Sequence, residues 1–214
     1  MGLQSGKVYK NLDELRYGKV LVMADQDEDG THIKGLVFNL FHSLWPSLYK
    51  MDGFLNSMLT PVIKAKKGKT IKQFYSTKDY DKWKEDNQSN GFNIKYYKGL
   101  GTSTPDEARQ YFKEFKNVKY LTNNEEDEEA IMLAFSKNEN SADNRKNWLS
   151  NYEKNNTLDY SKKSVSINEF VQNDLIHFSA SDNVRSIPSV IDGLKPSQRK
   201  VLFCALKRKL DKEI

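Results

Sequence analysis

The feature that most constrains this chain is a cluster of carboxylates directly after a short apolar run. Residues 19–24 read Lys-Val-Leu-Val-Met-Ala, and residues 25–30 read Asp-Gln-Asp-Glu-Asp-Gly. The apolar run is typical of a buried strand, which the acidic residues and Gly30 end. Beyond them, apolar residues recur at steps of three and four from Ile33 to Leu48, which indicates a long amphipathic helix. The pattern therefore predicts a strand, an acidic loop and a helix in succession.

The acidic loop favours a magnesium site. It follows the carboxyl end of a strand, which is the edge where open α/β sheets place their ligands. Four carboxylates this close together repel one another, and a divalent cation with oxygen ligands relieves the repulsion. An EF-hand calcium loop would need a glutamate at its twelfth position, but counting from Asp25 that residue is Leu36. An acidic helix start would explain Glu28 or Asp29 but not Asp25, which ends the apolar strand.

The middle of the chain alternates between strand and helix patterns. Segments 55–65 and 92–97 read as strands, and residues 70–75 can return as the second arm of a hairpin turned at Gly68. A short helix is expected over residues 79–85. Thr104 and Glu107 form a capping box that opens another helix. This alternation predicts an α/β fold with a mostly parallel sheet flanked by helices.

Past residue 122 the character of the sequence changes. An acidic run precedes a helical patch, and a polar, asparagine-rich run leads to a second patch around Trp148, so residues 123–165 read as a helical extension. Ser166 and Glu169 form a second capping box, and the turn at residues 192–196 opens a helix rich in cations. A basic helix after such a turn is typical either of a helix-turn-helix element or of a solvated face.

Composition limits the classes of function. The chain has 214 residues, with 34 Lys and Arg against 29 Asp and Glu, a net charge of +5 that suits a polyanionic partner. The only cysteine is Cys204, which excludes a disulfide within the chain and favours a reducing compartment. No apolar run is long enough for a membrane span, so a soluble, intracellular protein is expected. The residues alone support either a Mg²⁺-dependent enzyme acting on phosphodiesters or a non-catalytic nucleic-acid-binding module.

Three motifs in order carry a resemblance to a known family. They are Val-Met-Ala-Asp-Gln-Asp-Glu-Asp-Gly-Thr-His-Ile-Lys-Gly at residues 22–35, Tyr-Tyr-Lys-Gly-Leu-Gly-Thr at 96–102, and Arg-Ser-Ile-Pro with Asp-Gly-Leu-Lys-Pro-Ser-Gln-Arg-Lys-Val-Leu at 185–202. Together they resemble type II DNA topoisomerases of the eukaryotic type over nearly the whole chain. The resemblance implies a TOPRIM domain at residues 1–122, the extension at 123–165, and the beginning of a winged-helix DNA-binding domain at 166–214.

The resemblance also implies roles for individual residues. Asp25 and Asp27 match Mg²⁺-binding aspartates, and Asp29 is the third acid of the motif. Arg199 matches an arginine near the scissile phosphate, and Lys98 falls in a loop close to the cleavage site. Lys98, Gly99, Lys195, Arg199 and Lys200 are the expected DNA contacts. In this family a tyrosine attacks a DNA phosphate, two protomers cut opposite strands, and a second duplex passes before resealing.

The sequence departs from the family pattern in what it lacks. It contains neither the Glu-Gly-Asp motif that completes the metal site nor an ATPase domain that would bind ATP, and no tyrosine in it matches the nucleophile. We expect a piece of a longer, nuclear, homodimeric enzyme that acts on double-stranded DNA without any membrane association. Alone, the chain should neither relax supercoils nor hydrolyse ATP. A Mg²⁺-dependent TOPRIM nuclease or primase is the alternative, although such an enzyme is not expected to carry the motif at residues 185–202.

Overall fold

The structure, a computed structural model, describes residues 2–86, 90–97, 99–122 and 124–210. Its main sheet has four strands, β1 (Val20–Val22), β2 (Leu55–Met58), β6 (Asn117–Leu121) and β7 (Ser164–Ser166). Their order is β1-β2-β6-β7, where β1 pairs parallel to β2, β2 antiparallel to β6, and β6 parallel to β7. The predicted α/β class is confirmed, with parallel pairing at two of the three joints of this sheet.

A second, smaller sheet is antiparallel throughout. It consists of β3 (Ile63–Lys67), β4 (Thr70–Phe74) and β5 (Asn93–Tyr96), in the order β4-β3-β5. The hairpin predicted around Gly68 is therefore present. The expectation of a single strand over residues 55–65 was wrong, because β2 and β3 belong to different sheets. Pro61 lies between them, and a residue without a backbone N–H cannot continue a sheet ladder.

Helices cover both sheets and connect them. The first sheet is followed or flanked by α1 (Glu28–Leu44), α2 (Pro46–Tyr49), α5 (Glu125–Phe135), α6 (Ser141–Ser150), α7 (Ile167–Phe170) and α8 (Ile176–Ser186). The second sheet carries α3 (Thr77–Glu85) and is followed by α4 (Pro105–Glu114), and α9 (Pro196–Arg208) comes last. A π-helical turn, Val171–Leu175, joins α7 to α8 without a break. Among the described residues, no helix combines the length and apolar character needed to cross a membrane.

The main core lies between α1 and the first sheet. Phe38 of α1 is fully buried and packs its ring against Tyr120 of β6 and Phe170 of α7, with ring centroids 4.5 and 5.4 Å apart. Burial of such rings is the largest favourable term in folding a domain of this size. Because α7 packs on α5 and β7 pairs with β6, residues 165–178 share this core. The division of the chain at residues 122 and 165 stays a prediction.

Candidate functional site

The acidic loop sits between β1 and α1, at the carboxyl end of a parallel strand, as the sequence predicts. Asp27 is the N-cap of α1, and its Oδ1 accepts a hydrogen bond of 2.7 Å from the Gly30 N–H. A Cβ on Gly30 would lie 1.9 Å from the backbone oxygen of Asp25, so only glycine fits there. The turn thus fixes the backbone of the loop and leaves its carboxylates at the start of the helix, where the positive end of the helix dipole favours them.

The loop that joins β5 to α4, which we call the Gly99 loop, contacts Asp25 through Gly99. A Cβ built on Gly99 would lie 2.6 Å from one carboxylate oxygen of Asp25 and 3.2 Å from the other. The Gly99 carbonyl also accepts hydrogen bonds from the Thr102 N–H at 3.0 Å and the Thr102 hydroxyl at 2.6 Å. The absence of a side chain at this position therefore lets the backbone of the Gly99 loop meet the acidic loop. Its neighbour Lys98, predicted to contact DNA, lies outside the described residues.

Asp29 is held by an arginine from another part of the chain. Arg185, in the last turn of α8, donates from Nη1 to Asp29 Oδ2 at 2.9 Å and from Nη2 to Asp29 Oδ1. Its Nε donates to Asp182 Oδ1 at 3.1 Å. These hydrogen bonds from Arg185 lower the pKa of Asp29 below its ordinary value. Asp29 is therefore an anion whose two oxygens are both engaged by one guanidinium.

His32 lies one turn further along α1 and supports the same contact. Its ring stacks on Phe178 of α8 with centroids 4.0 Å apart and an interplanar angle of 8°. The Arg185 guanidinium lies 5.6 Å from the centre of that Phe178 ring. Burial lowers the pKa of His32, so the neutral imidazole is favoured at neutral pH. A supporting role for His32, rather than a metal-binding one, agrees with this packing.

The donor set fits a divalent cation in part. Asp25 and Asp27 supply carboxylates from one loop, and Mg²⁺ is commonly held by only one or two protein carboxylates together with water and substrate phosphates. Among the described residues, no three His, Cys, Asp or Glu side chains converge as a metal-holding group. The three aspartates of the motif consequently do not form a closed ligand set around one point.

Glu107 ties the Gly99 loop and α4 to the second sheet. Thr104 and Glu107 form the predicted capping box, and Glu107 also accepts hydrogen bonds from Tyr97 and, at 2.9 Å, from Lys95. Lys64 Nζ lies 3.4 Å from its Oε1. Partial burial alone would raise the pKa of Glu107, but the donors from Tyr97, Thr104 and Lys95 and the charge of Lys64 outweigh it and lower that pKa to about 2.

A buried ion pair supports the helix that carries the acidic loop. Lys34 of α1 has a side chain only 2% exposed, and its Nζ lies 3.6 Å from Asp174 Oδ2 in the π-helical turn. Asp174 Oδ2 also accepts hydrogen bonds from the hydroxyls of Tyr160 at 2.7 Å and Thr31 at 3.3 Å. Burial raises the pKa of Tyr160, which keeps its hydroxyl protonated as a donor. The contact fixes α1 against the turn that leads into α8.

A cleft of about 740 Å³ opens beside the acidic loop. Residues of the acidic loop, the π-helical turn, the second sheet and the segment before β7 line it. Its lining includes Asp27, Glu28 and Asp29 together with Tyr97, Tyr152 and Tyr160. A molecule bound in the cleft would therefore lie against Asp27, Glu28 and Asp29.

The predicted DNA-binding residues of the last segment lie on an exposed arm, which consists of residues 187–195 and the helix α9. Every residue of α9 is at least partly exposed, and Lys195 and Lys200 stand at its beginning. Arg199 donates from Nε and Nη2 to the two carboxylate oxygens of Asp192 at 2.7 Å each, and from Nη2 to the Leu194 carbonyl at 3.1 Å. The hydrogen bonds from Arg199 lower the pKa of Asp192 to about 2. Arg199 is thus held in its own turn, and Lys200 faces solvent.

Several residues of the site were not predicted from the sequence. Glu107 was expected only as a helix cap, and its bonds to Lys95 and Tyr97 join it to a segment whose pattern is that of an ordinary strand. Arg185 and Asp174 gave no local signal, because their partners lie 156 and 143 residues away. The appearance of Arg185 within the third motif was the one available hint.

Two protein-family models match consecutive parts of the chain. A family model described as the C-terminal associated domain of TOPRIM matches residues 58–183, and one described as DNA gyrase/topoisomerase IV matches residues 185–214. The second match covers the segment that is expected in topoisomerases and not in TOPRIM nucleases or primases. Arg185 is the first residue of that second match.

Individual relatives cover the whole chain or nearly all of it. DNA topoisomerase 2 of Arabidopsis thaliana is 49% identical over 100% of this chain, and a mitochondrial DNA topoisomerase 2 of Dictyostelium discoideum is 46% identical over 96%. The chain spans only 15% and 16% of the lengths of these two relatives.

A solved structure matches the fold. It is the DNA-binding, cleavage and re-ligation domain of Plasmodium falciparum topoisomerase II, with a TM-score of 0.84 and 42% identity, covering 100% of this chain and 29% of that one. The fold, the order of the motifs and the two family matches agree. The chain belongs to the eukaryotic type II DNA topoisomerase family and corresponds to the part of it that includes the C-terminal associated domain of TOPRIM.

Proposed function

We propose that this chain forms part of the breakage and reunion core of a type II DNA topoisomerase, which cuts and reseals DNA by transesterification. The observation that carries the proposal is the meeting of the acidic loop with the Gly99 loop at a sheet edge, on the same chain as an exposed basic helix. The first arrangement suits phosphodiester chemistry, and the second suits a DNA backbone.

Asp25 and Asp27 are the proposed ligands of a divalent cation, which we take to be Mg²⁺ because the donors are hard carboxylate oxygens. When bound, the cation would polarise a DNA phosphate. The chain itself supplies the rigid frame for the two carboxylates: the Gly30 N–H holds Asp27, and Gly99 meets Asp25. Asp29, the third acid of the motif, is held by Arg185, so we place it outside the ligand pair.

Four basic residues and the backbone at Gly99 are the proposed contacts to double-stranded DNA. Lys98 and Gly99 would approach a phosphate from the Gly99 loop, and Lys195, Arg199 and Lys200 from the arm. Arg199 would offset charge that develops on the reacting phosphate. To do so its guanidinium would exchange the carboxylate of Asp192 for the phosphate.

The remaining parts of the reaction belong to the longer protein. We propose that the nucleophilic tyrosine, the completing glutamate and the ATP-binding domain come from other segments, and that the whole enzyme is a homodimer acting in the nucleus. Two of the relatives are named as mitochondrial, so the targeting signal of the longer protein would decide the compartment.

A segment exchange tests the proposed function. The chain would replace the corresponding segment of Arabidopsis DNA topoisomerase 2, to which it is 49% identical over its whole length. We expect the exchanged enzyme to relax supercoiled plasmid in the presence of Mg²⁺ and ATP. An exchanged enzyme that folds, dimerises and binds DNA but never relaxes the plasmid would refute the proposal.

A further inference from the structure

We infer that Arg185 and Asp29 form a positioning pair that fixes the basic arm relative to the acidic loop, and that Asp29 is not a metal ligand. The inference rests on the proposed function for the identity of the metal ligands. Asp29, the third acid of the motif, would then hold Arg185 instead of binding the metal.

The ion pair of Arg185 and Asp29 is bidentate and belongs to a larger hydrogen-bond network. Arg185 engages both oxygens of Asp29, and its Nε adds a bond to Asp182. The Ser186 hydroxyl donates to the same Asp182 oxygen at 2.7 Å. A single exposed ion pair contributes little to stability, but a bidentate guanidinium within a network is the arrangement in which such pairs are effective.

Aromatic packing fixes the same junction. The stacked rings of His32 and Phe178 join the second turn of α1 to α8, and the Arg185 guanidinium lies over the Phe178 ring. The first turn of α8 is thereby held to α1 through Phe178, and its last turn is held to α1 through Arg185. Segment 187–195 and the arm helix α9 follow directly, so the orientation in which the arm leaves the core is set at Arg185.

The metal-binding part of the inference follows from the same contacts. Both carboxylate oxygens of Asp29 accept hydrogen bonds from the positively charged guanidinium of Arg185. Asp27 uses one oxygen to accept a hydrogen bond from the Gly30 N–H. The described carboxylates also do not converge as a group of three. Two carboxylates satisfy the usual protein share of a Mg²⁺ site, so the cation does not need Asp29.

Two measurements on the 214-residue chain test the inference. Titration with Mn²⁺, followed by electron paramagnetic resonance of the free ion, reports metal affinity. Spin labels on Cys204, which is exposed in α9, and on a cysteine introduced as Glu129→Cys in α5 report the distance between arm and core. The variants are Asp29→Asn, Arg185→Gln and Asp25→Asn. Asp143→Asn, which breaks an exposed ion pair with Lys146 on α6, is the matched control.

We expect Asp29→Asn and Arg185→Gln to broaden the distance distribution, while Asp143→Asn leaves it narrow. Asp29→Glu, which can still engage the guanidinium, should restore most of the narrow distribution. Asp29→Asn should keep Mn²⁺ affinity within about threefold of the native chain, because only a nearby charge is lost. Asp25→Asn should weaken binding by about tenfold or more, as expected for a lost ligand.

The inference is overturned if Arg185→Gln leaves the distribution narrow, or if Asp29→Asn weakens Mn²⁺ binding as much as Asp25→Asn does. If the native chain alone binds no Mn²⁺, the same variants are compared in the exchanged Arabidopsis enzyme, which supplies the completing glutamate, and an enzyme that binds no Mn²⁺ there would refute the metal ligands of the proposed function. The distance measurement then still decides whether Arg185 positions the arm.

Discussion

A side chain at position 99 would meet the carboxylate of a proposed metal ligand. We expect Gly99→Ala to displace the Asp25 carboxylate, because the added Cβ would lie 2.6 Å from one of its oxygens. Mn²⁺ affinity should fall by about tenfold, the scale of a misplaced ligand shell. Gly101→Ala is the matched control, since a Cβ on Gly101 meets nothing within 4 Å. Equal Mn²⁺ affinities for the two variants would contradict the close approach.

Glu107 makes the free energy of unfolding depend on pH. Its pKa in the folded chain is about 2 against an ordinary value of 4.5, so its contribution is fully present above about pH 4.5 and is lost as the pH falls towards 2. We expect Glu107→Gln to lower the free energy of unfolding at pH 7 by about 2 kcal/mol, the scale of charged hydrogen bonds. Denaturant unfolding at pH 7 and pH 3 checks this. A difference between native and variant that grows towards pH 3 would show that the sign is wrong.

At the scale of elements, the ion pair of Lys34 and Asp174 joins α1 to the π-helical turn. Asp174→Ala leaves a buried ammonium without its counter-charge, so we expect a loss of about 3 kcal/mol or more in the free energy of unfolding. Lys34→Met together with Asp174→Ala should cost less than Asp174→Ala alone, because the uncompensated charge is gone. Urea unfolding of the three variants measures the comparison. A double variant less stable than Asp174→Ala would contradict a buried charge as the cause.

The elements that sequence predicted well are those with local signals. Both capping boxes, at Thr104 and Ser166, open helices where expected, and the acidic loop joins a strand to the long helix α1. Local hydrogen-bonding patterns of this kind depend on residues three or four apart. They can be recognised without knowledge of the rest of the fold.

The elements that sequence did not predict depend on distant partners. Strand β7 has three residues and exists because β6, more than forty residues earlier, offers it a parallel edge. The break between β2 and β3 likewise separates two sheets, which a run of alternating residues around Pro61 did not reveal. The partners of Asp29 and Asp174 were hidden for the same reason. The sequence therefore predicted which residues form the candidate site. It did not predict the hydrogen bonds and ion pairs that hold them in place.

At the scale of the whole molecule, the chain combines a packed core with an exposed arm. The core holds the acidic loop against the Gly99 loop, and the arm carries the basic residues of α9. Such an arrangement suits the proposed function, in which the core would hold the metal ligands rigidly while a DNA duplex enters. The contact between Arg185 and Asp29 is where core and arm meet.

The central claim is that the acidic loop serves DNA cleavage through a covalent protein–DNA intermediate. The most direct measurement uses the exchanged Arabidopsis enzyme and traps covalent complexes on duplex DNA with Mg²⁺, comparing the native segment with Asp25→Asn and Asp27→Asn. We predict covalent complexes with the native segment and a loss of about 100-fold or more in each variant, the scale of a missing electrostatic group. Covalent complexes that persist undiminished in both variants, or cleavage that leaves no protein on the DNA, would contradict the account.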